Sequence, residues 1–247
     1  MVGSRYHAGA SVIGAGWLRV SFDTNDKLGR CLSFGRVPRA TCPVMTAGCA
    51  RCFATRGNAG MSAKSGVYDA NSRPLTREDR PALILAILQA IPYPMAGFVA
   101  GRRRIPMRIH APGGDFDSPE YVRLWIEVAR ELPFVDFWFY TRAWMNPEIR
   151  AELERFRLSP NVVGFASVDW SIARRPEGWR IAYQGRPDGK DYGQLADDAL
   201  LCPASAGREI RRRGGHKGYR KFTCADCSWC YSRVGKSAAR GVNFPNH

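Results

Sequence analysis

The chain has 247 residues, with 37 Lys and Arg against 22 Asp and Glu, a formal net charge of +15. That length suits one α/β barrel or two small domains and buries a core without cross-links. No apolar run reaches the roughly 18 residues of a membrane span, and the start, MVGSRYHAGASVIGAGW, lacks the apolar core and cleavage site of a signal peptide. The expectation is a cytoplasmic protein without a membrane segment. Disulfides are rare in that compartment. Arginine dominates the cations, which suits phosphate contacts, so the expected partners are nucleic acid or a host protein.

Residues 1–40 are Gly-rich, with short strands expected at 17–22 and 31–34. Then comes TCPVMTAGCARCFA, residues 41–54, in which Cys42, Cys49 and Cys52 fall close together. Pro43 and Gly48 interrupt any helix or strand through it, so it is a loop that folds back on itself. Residues 58–80 are polar and show no strong periodicity. Residues 81–91, PALILAILQAI, read as a buried helix, with Asp79 as cap, Pro81 in the first turn and Pro92 as stop. A strand at 106–110 runs into the Gly-rich APGGDF. Ser118 then caps a helix whose stripe is Tyr121, Leu124, Trp125, Val128 and Leu132. A buried strand follows at 134–140. Asn146-Pro147 opens another helix, with Ile149, Leu153 and Phe156 on one face, and 161–168 is the next strand.

Beyond Asp169 the regularity fades. Residues 179–183 and 242–244 read as strands. The basic stretch 208–221, interrupted by Gly214, Gly215 and Gly218, reads as a loop or a frayed helix between Cys202 and the turn CADCSWC.

Alternation of strand and helix makes a parallel sheet with right-handed crossovers. The expected fold is therefore α/β, a full or partial (β/α) TIM-like barrel with cysteine-bearing loops. The alternative is a doubly wound open sheet. Residues 1–247 form a single barrel-like domain in this reading, with 202–247 as a C-terminal cluster-binding extension. Function in such sheets lies at the carboxyl ends of the strands. Gly113, Gly114, Asp115, Arg142, Ser167 and Asp169 all follow or end expected strands, so they are the candidate cofactor-binding residues of one rim. No catalytic residue is singled out.

Seven of the eight cysteines stand in tight groups, which argues for metal. Cys31 lies outside both groups and reads as a buried thiol. Cys224, Cys227 and Cys230 have C-x2-C-x2-C spacing, as in bacterial ferredoxins, with Cys202 as a distant fourth ligand. A [4Fe-4S] cluster is the first reading of this quartet, and zinc is the alternative. Cys42, Cys49 and Cys52 offer only three thiolates at close range. A cluster held by them keeps one iron open, as open positions mark reactive zinc sites; the alternatives are closure by a remote residue such as Cys31 or a His, or one cluster that draws ligands from both loops. The four histidines show no zinc-enzyme spacing, and the G-K-S at 235–237 lacks the earlier Gly of a phosphate loop.

The ordered stretches LSFGRVPRATCPVMTAGCARCFA, RIHAPGGDFDSPEYVRLWIEVARELPFVDFWFYTR and CADCSWC resemble the bacteriophage family named for gene product eighty-eight. That family is in turn similar to radical S-adenosylmethionine (SAM) barrel enzymes. There a three-cysteine loop after the first strand holds a [4Fe-4S] cluster, and a Gly-Gly-Glu element binds the amino group of SAM. The resemblance implies Cys42, Cys49 and Cys52 as cluster ligands, with Phe53 as their aromatic neighbour. It sets Gly113, Gly114 and Asp115 at the amino-binding element, and the remaining four grouped cysteines at an auxiliary cluster. Two features differ: the first spacing is C-x6-C-x2-C rather than C-x3-C-x2-C, and Asp115 stands in place of Glu.

The expected function is that of an iron–sulfur phage protein in the host cytoplasm, contacting nucleic acid or a host protein. One alternative is an active radical SAM enzyme. The other is a zinc-stabilised nucleic-acid-binding protein.

Overall fold

The computed structural model describes residues 17–22, 27–56, 68–92, 104–111, 113–185, 199–211, 219–232 and 241–244. The glycines at 214, 215 and 218 and the G-K-S at 235–237 lie outside these. The strands are β1 (Ser21–Phe22), β2 (Leu32–Phe34), β3 (Ile105–Ile109), β4 (Val135–Thr141), β5 (Val162–Asp169), β6 (Arg180–Gln184), β7 (Leu200–Leu201), β8 (Glu209–Arg211), β9 (Tyr219–Lys221) and β10 (Val242–Phe244). The helices are α1 (Asp69–Ser72), α2 (Arg80–Ala90), α3 (Pro119–Glu131), α4 (Pro147–Leu158) and α5 (Cys224–Cys227).

Local chemistry sets the helix ends. At α3 the Ser118 side chain accepts from the Tyr121 amide at 3.1 Å, and Pro119 occupies the first turn, where no amide donor is needed. Asn146 caps α4 by accepting from the amides of Glu148 and Ile149. Asp79 does not cap α2 through its side chain. It accepts instead from the Thr76 amide at 2.9 Å, in a capping box on the single turn that precedes the helix.

Eight strands form one sheet in the order β1-β2-β3-β4-β5-β6-β10-β7. β1 pairs antiparallel with β2, and every other neighbouring pair in this sheet is parallel. β4 is buried on both faces, which is why it reads as an apolar run broken only by Asp136, which pairs with Arg104. Phe137 and Phe139 point to the helices, where Phe139 stacks on Phe156 and Phe137 meets Trp125 edge-on. Trp138 and Tyr140 point the other way, toward Tyr231 and Phe244. Residues of α2, α3 and α4 share one core cluster with the first face. The second face is covered by Ala225, Trp229, Cys230 and Tyr231 from the cysteine-rich end.

The fold is thus mixed α/β with a mostly parallel sheet. Among the described residues no pairing joins β7 back to β1, so a closed TIM barrel is not shown and an open sheet is compatible. The stretch read as a loop or frayed helix instead contains the antiparallel pair β8–β9, with Ile210 opposite Arg220. Among the described residues no helix is long and apolar enough to cross a membrane.

Candidate metal centres

Because β2 to β6 run parallel, their carboxyl ends share one rim. The loop after β2 carries the first cysteine group. Two single turns, Ala47–Arg51 and Phe53–Thr55, shape it. Nothing is described of the Phe53 side chain. Cys42, Cys49 and Cys52 line one cavity of ≈ 120 Å³. Gly113, Gly114, Asp115, Arg142 and Ser167, all expected at the rim, line the same cavity. Asp169 lies directly beneath the loop.

Asp169 holds the loop down. Its Oδ2 accepts from Thr46 Oγ1 at 2.5 Å, from the Gly48 amide at 3.0 Å and from Arg142 Nη2 at 3.2 Å. Its Oδ1 accepts from the amide and hydroxyl of Ser171. Burial alone would raise this carboxyl, but Ser171, Thr46 and Arg142 outweigh it and hold it below the usual range. A Cβ at Gly48 would collide with the Asp169 carboxylate and with Gln184, so glycine is required for this approach. Arg142 continues the network. Its Nη2 donates to Gln184 Oε1 at 2.5 Å and its Nη1 to Cys49 Sγ at 3.5 Å.

Asp115 organises the rim through four hydrogen bonds. Oδ1 accepts from the Phe116 amide and from Thr141 Oγ1, and Oδ2 accepts from the amides of Arg142 and Ala143. Burial still holds the carboxyl above its usual range. The glycines before it serve close packing. Gly114 has φ +83°, and a Cβ there would meet Arg36 and Thr41 at 2.6 and 2.7 Å. Ser167 presents its carbonyl to Trp144 Nε1 at 3.2 Å. Burial, with Asp115 close by, pushes the Cys42 thiol up to about 12.

The second group is closed. Cys202, Cys224, Cys227 and Cys230 line a cavity of ≈ 20 Å³, about the room one water needs. The Cys224 amide donates to Lys27 O and the Ala225 amide to Leu28 O, which ties α5 to the start of β2. Ser228 turns the chain with φ 54°. Tyr140 Oη then donates to Cys230 Sγ at 2.9 Å. Burial pushes Cys224 up to about 11 and Cys230 to about 12. Cys31 stays apart and donates to Leu28 O at 3.3 Å.

Three cations surround this quartet. Lys27 and Arg108 line its cavity. Arg180 lies between Phe165 and Trp229, 4.5 and 3.9 Å from the ring centres. Among the described residues none of Arg180 Nε, Nη1 or Nη2 has a hydrogen-bond partner. Arg36, buried more completely still, is the opposite case. It donates to Asn71 O, Asp115 O, Ser72 O, Arg73 O and the Asp117 carboxylate. A buried guanidinium without a partner calls for an anion.

Among the described residues no three His, Cys, Asp or Glu side chains are arranged to hold a metal ion as they stand. The thiols line their cavities without converging. The donor sets still fit a thiolate-bound centre: three soft ligands around an open cavity, and four around a closed one lined by cations. Arg108 and Tyr140 line both cavities and so separate them.

The profile of the family described as Gene product 88 matches residues 17–233. The chain belongs to the gene product 88 family. It is 37% identical over 201 residues to the "Gene 88 protein" of Mycobacterium phage L5, covering 77% of each chain. It is 36% identical over 202 residues to the "Gene 88 protein" of Mycobacterium phage D29, covering 77% of this chain and 78% of that one. No solved structure matches the chain. The family description and the relatives' names carry no cofactor, no activity and no likeness to radical SAM enzymes.

In this gene product 88 chain several site residues escape a sequence reading. Gln184 and Thr46 complete the Arg142–Asp169 network. Lys27, Arg108 and Arg180 gather at the quartet from three distant segments. The only sequence signal for Arg180 is a charge at the start of an otherwise apolar strand, RIAYQ.

Proposed function

We propose that this gene product 88 protein is an iron–sulfur protein acting in the host cytoplasm. Cys42, Cys49 and Cys52 hold a [4Fe-4S] cluster at the rim. Cys202, Cys224, Cys227 and Cys230 hold a second, closed centre, iron–sulfur in the first reading and zinc in the second. The observation that carries this is the meeting of three free thiols from the loop after β2 with rim residues from β3, β4 and β5 around one open cavity. When bound, a cluster held by three thiolates supplies one-electron chemistry and an iron corner open to a small molecule. Arg142 orients Cys49 through its N–H to sulfur contact, and Asp169 fixes the loop that presents all three ligands.

The sheet fits a partial (β/α) barrel. Its strand order runs in one direction from β1 to β6, and α2, α3 and α4 lie on one face. The cysteine-rich end occupies the face that a barrel would turn inward. The SAM-binding alternative needs a carboxylate free to take an amino group. All four acceptor contacts of Asp115 go to protein donors, which favours the reading without SAM chemistry.

Anaerobic purification followed by iron, sulfide and zinc counts and a visible spectrum tests the proposal. About four iron and four sulfide per filled cubane, with broad absorption that bleaches on reduction, is the expected result. Protein carrying no iron would overturn the iron–sulfur reading. Zinc at one equivalent, lost on replacing the quartet, would leave zinc as the closed centre.

A further inference from the structure

A second cavity adjoins the rim, and none of its residues belongs to a cysteine group. It has a volume of ≈ 580 Å³, within the roughly 300–1,000 Å³ of ligand pockets. Met45 lines both cavities, and Thr46, whose hydroxyl donates to Asp169 Oδ2, lines this one. The groove therefore opens beside the cysteine loop. Arg150 comes from α4, and Arg174 and Arg175 come from the β5–β6 connection. No Asp or Glu is among the lining residues described. Glu154 stands 3.7 Å from Arg150 Nε, and the Arg175 guanidinium lies 4.8 Å from the Tyr183 ring centre. Thr46 and Ser171 add hydroxyls, the rest of the wall is apolar, and Met45 and Met145 stand 52% and 41% exposed at its edge.

This pairing of charge and surface selects a ligand class. Three arginines and two hydroxyls in a largely apolar groove favour phosphate, and adaptable methionines favour a flat apolar group beside it. The basic hairpin β8–β9 is a weaker candidate, since Arg220 is already held by both oxygens of Asp226 at 2.6 Å. We propose that the Arg150–Arg174–Arg175 groove binds a nucleotide phosphate, free or within a single strand, and leads it to the rim. Delivery to a metal at the rim rests on the function proposed above, whereas the phosphate binding does not.

Two probes separate the sources of that phosphate. A labelled single-stranded 12-mer is followed by anisotropy, and a nucleoside triphosphate by calorimetry, on full-length protein whose metal content is measured in the same preparation. Replacing all three arginines by Ala weakens the bound probe at least about tenfold. For the strand, it also lowers the slope of log affinity against log salt by about 2. The double change Arg174→Ala and Arg175→Ala, both on exposed loop positions, gives a smaller loss in the same direction with unchanged melting. A hairpin control, Lys221→Ala, stays within about twofold of wild type. Tight binding of the triphosphate alone assigns a small nucleotide, and preference for the strand assigns nucleic acid. Absence of binding by both probes overturns the proposal, as does wild-type affinity in the folded arginine variants. Metal-free protein that still binds through these arginines separates a failure of the iron–sulfur reading from a failure of this one.

Discussion

The two cysteine groups present the same ligand chemistry in opposite settings. The rim trio sits on a loop that the Asp169 carboxylate and Arg142 hold from below, with a cavity of ≈ 120 Å³ above it. The C-terminal quartet is pressed against a sheet face by Trp229 and Tyr231, encloses ≈ 20 Å³ and is ringed by cations. Around the trio the Asp115 and Asp169 carboxylates are fully engaged by protein donors, and only single atoms, Arg108 Nε, His110 Nδ1 and Arg142 Nε, make no hydrogen bond among the described residues. Around the quartet a whole buried guanidinium, that of Arg180, has two aromatic rings beside it and no hydrogen-bond partner among the described residues. Openness above a firmly anchored loop suits exchange of a small molecule. Closure with an unanswered charge suits a permanent centre that completes the fold.

The largest expected effect comes from exchanging the two groups as targets. Serine at Cys224 and Cys230 removes the closed centre and with it the hold of α5 on the sheet. Melting falls by more than about 10 °C, because metal binding and folding are coupled at a closed site. Serine at Cys42, Cys49 and Cys52 leaves melting within about 3 °C and removes about four iron per chain. Should the quartet variant prove insoluble, a strong chelator added to wild-type protein reads the same quantity. Collapse of the trio variant with an unaffected quartet variant would invert the comparison.

Asp169→Asn tests the support beneath the open site. The amide keeps the shape and withdraws the charge that Arg142, Thr46 and Gly48 all face. Breaking this buried pair costs about 3 kcal/mol, or roughly 6–9 °C in a chain of this size. Iron at the rim falls while the closed centre keeps its metal. Equal loss from both centres would show that Asp169 serves the whole sheet and not the loop.

How far the sequence foretold these settings depends on the range of the interactions. β4 and α3 were legible because an apolar run and an apolar stripe are local patterns. The cysteine groups were legible because ligand spacing is local too. β8–β9 was not, since its exposed residues carry no apolar alternation and its pairing is satisfied by backbone alone. Asp115 beside two glycines looked like a ligand for a small molecule. Its oxygens are instead taken by groups of the β4 end, 26 to 28 residues away in the chain. Arg180 carried almost no signal, because what makes it unusual is the absence of a partner among residues that only the fold brings near.

Arg180→Leu is the smallest change in size and the sharpest test of the difference between the two groups. In metal-free protein the guanidinium is a buried charge without a counterion. Replacing it with an apolar side chain of similar bulk relieves that burden, so stability holds or rises by about 1 kcal/mol, roughly 3 °C. In metal-loaded protein the four thiolates carry net negative charge and Arg180 faces it from between two aromatic rings. The same substitution then removes an attraction, and stability falls by about 1 kcal/mol, again roughly 3 °C. The sign of the effect thus depends on occupancy of the quartet, while Arg180→Lys, which keeps the charge, moves both states less. A change of the same sign with and without metal would mean that Arg180 answers to the aromatic packing alone. The closed group would then lose its charge complementarity, and the contrast with the rim would reduce to one of exposure.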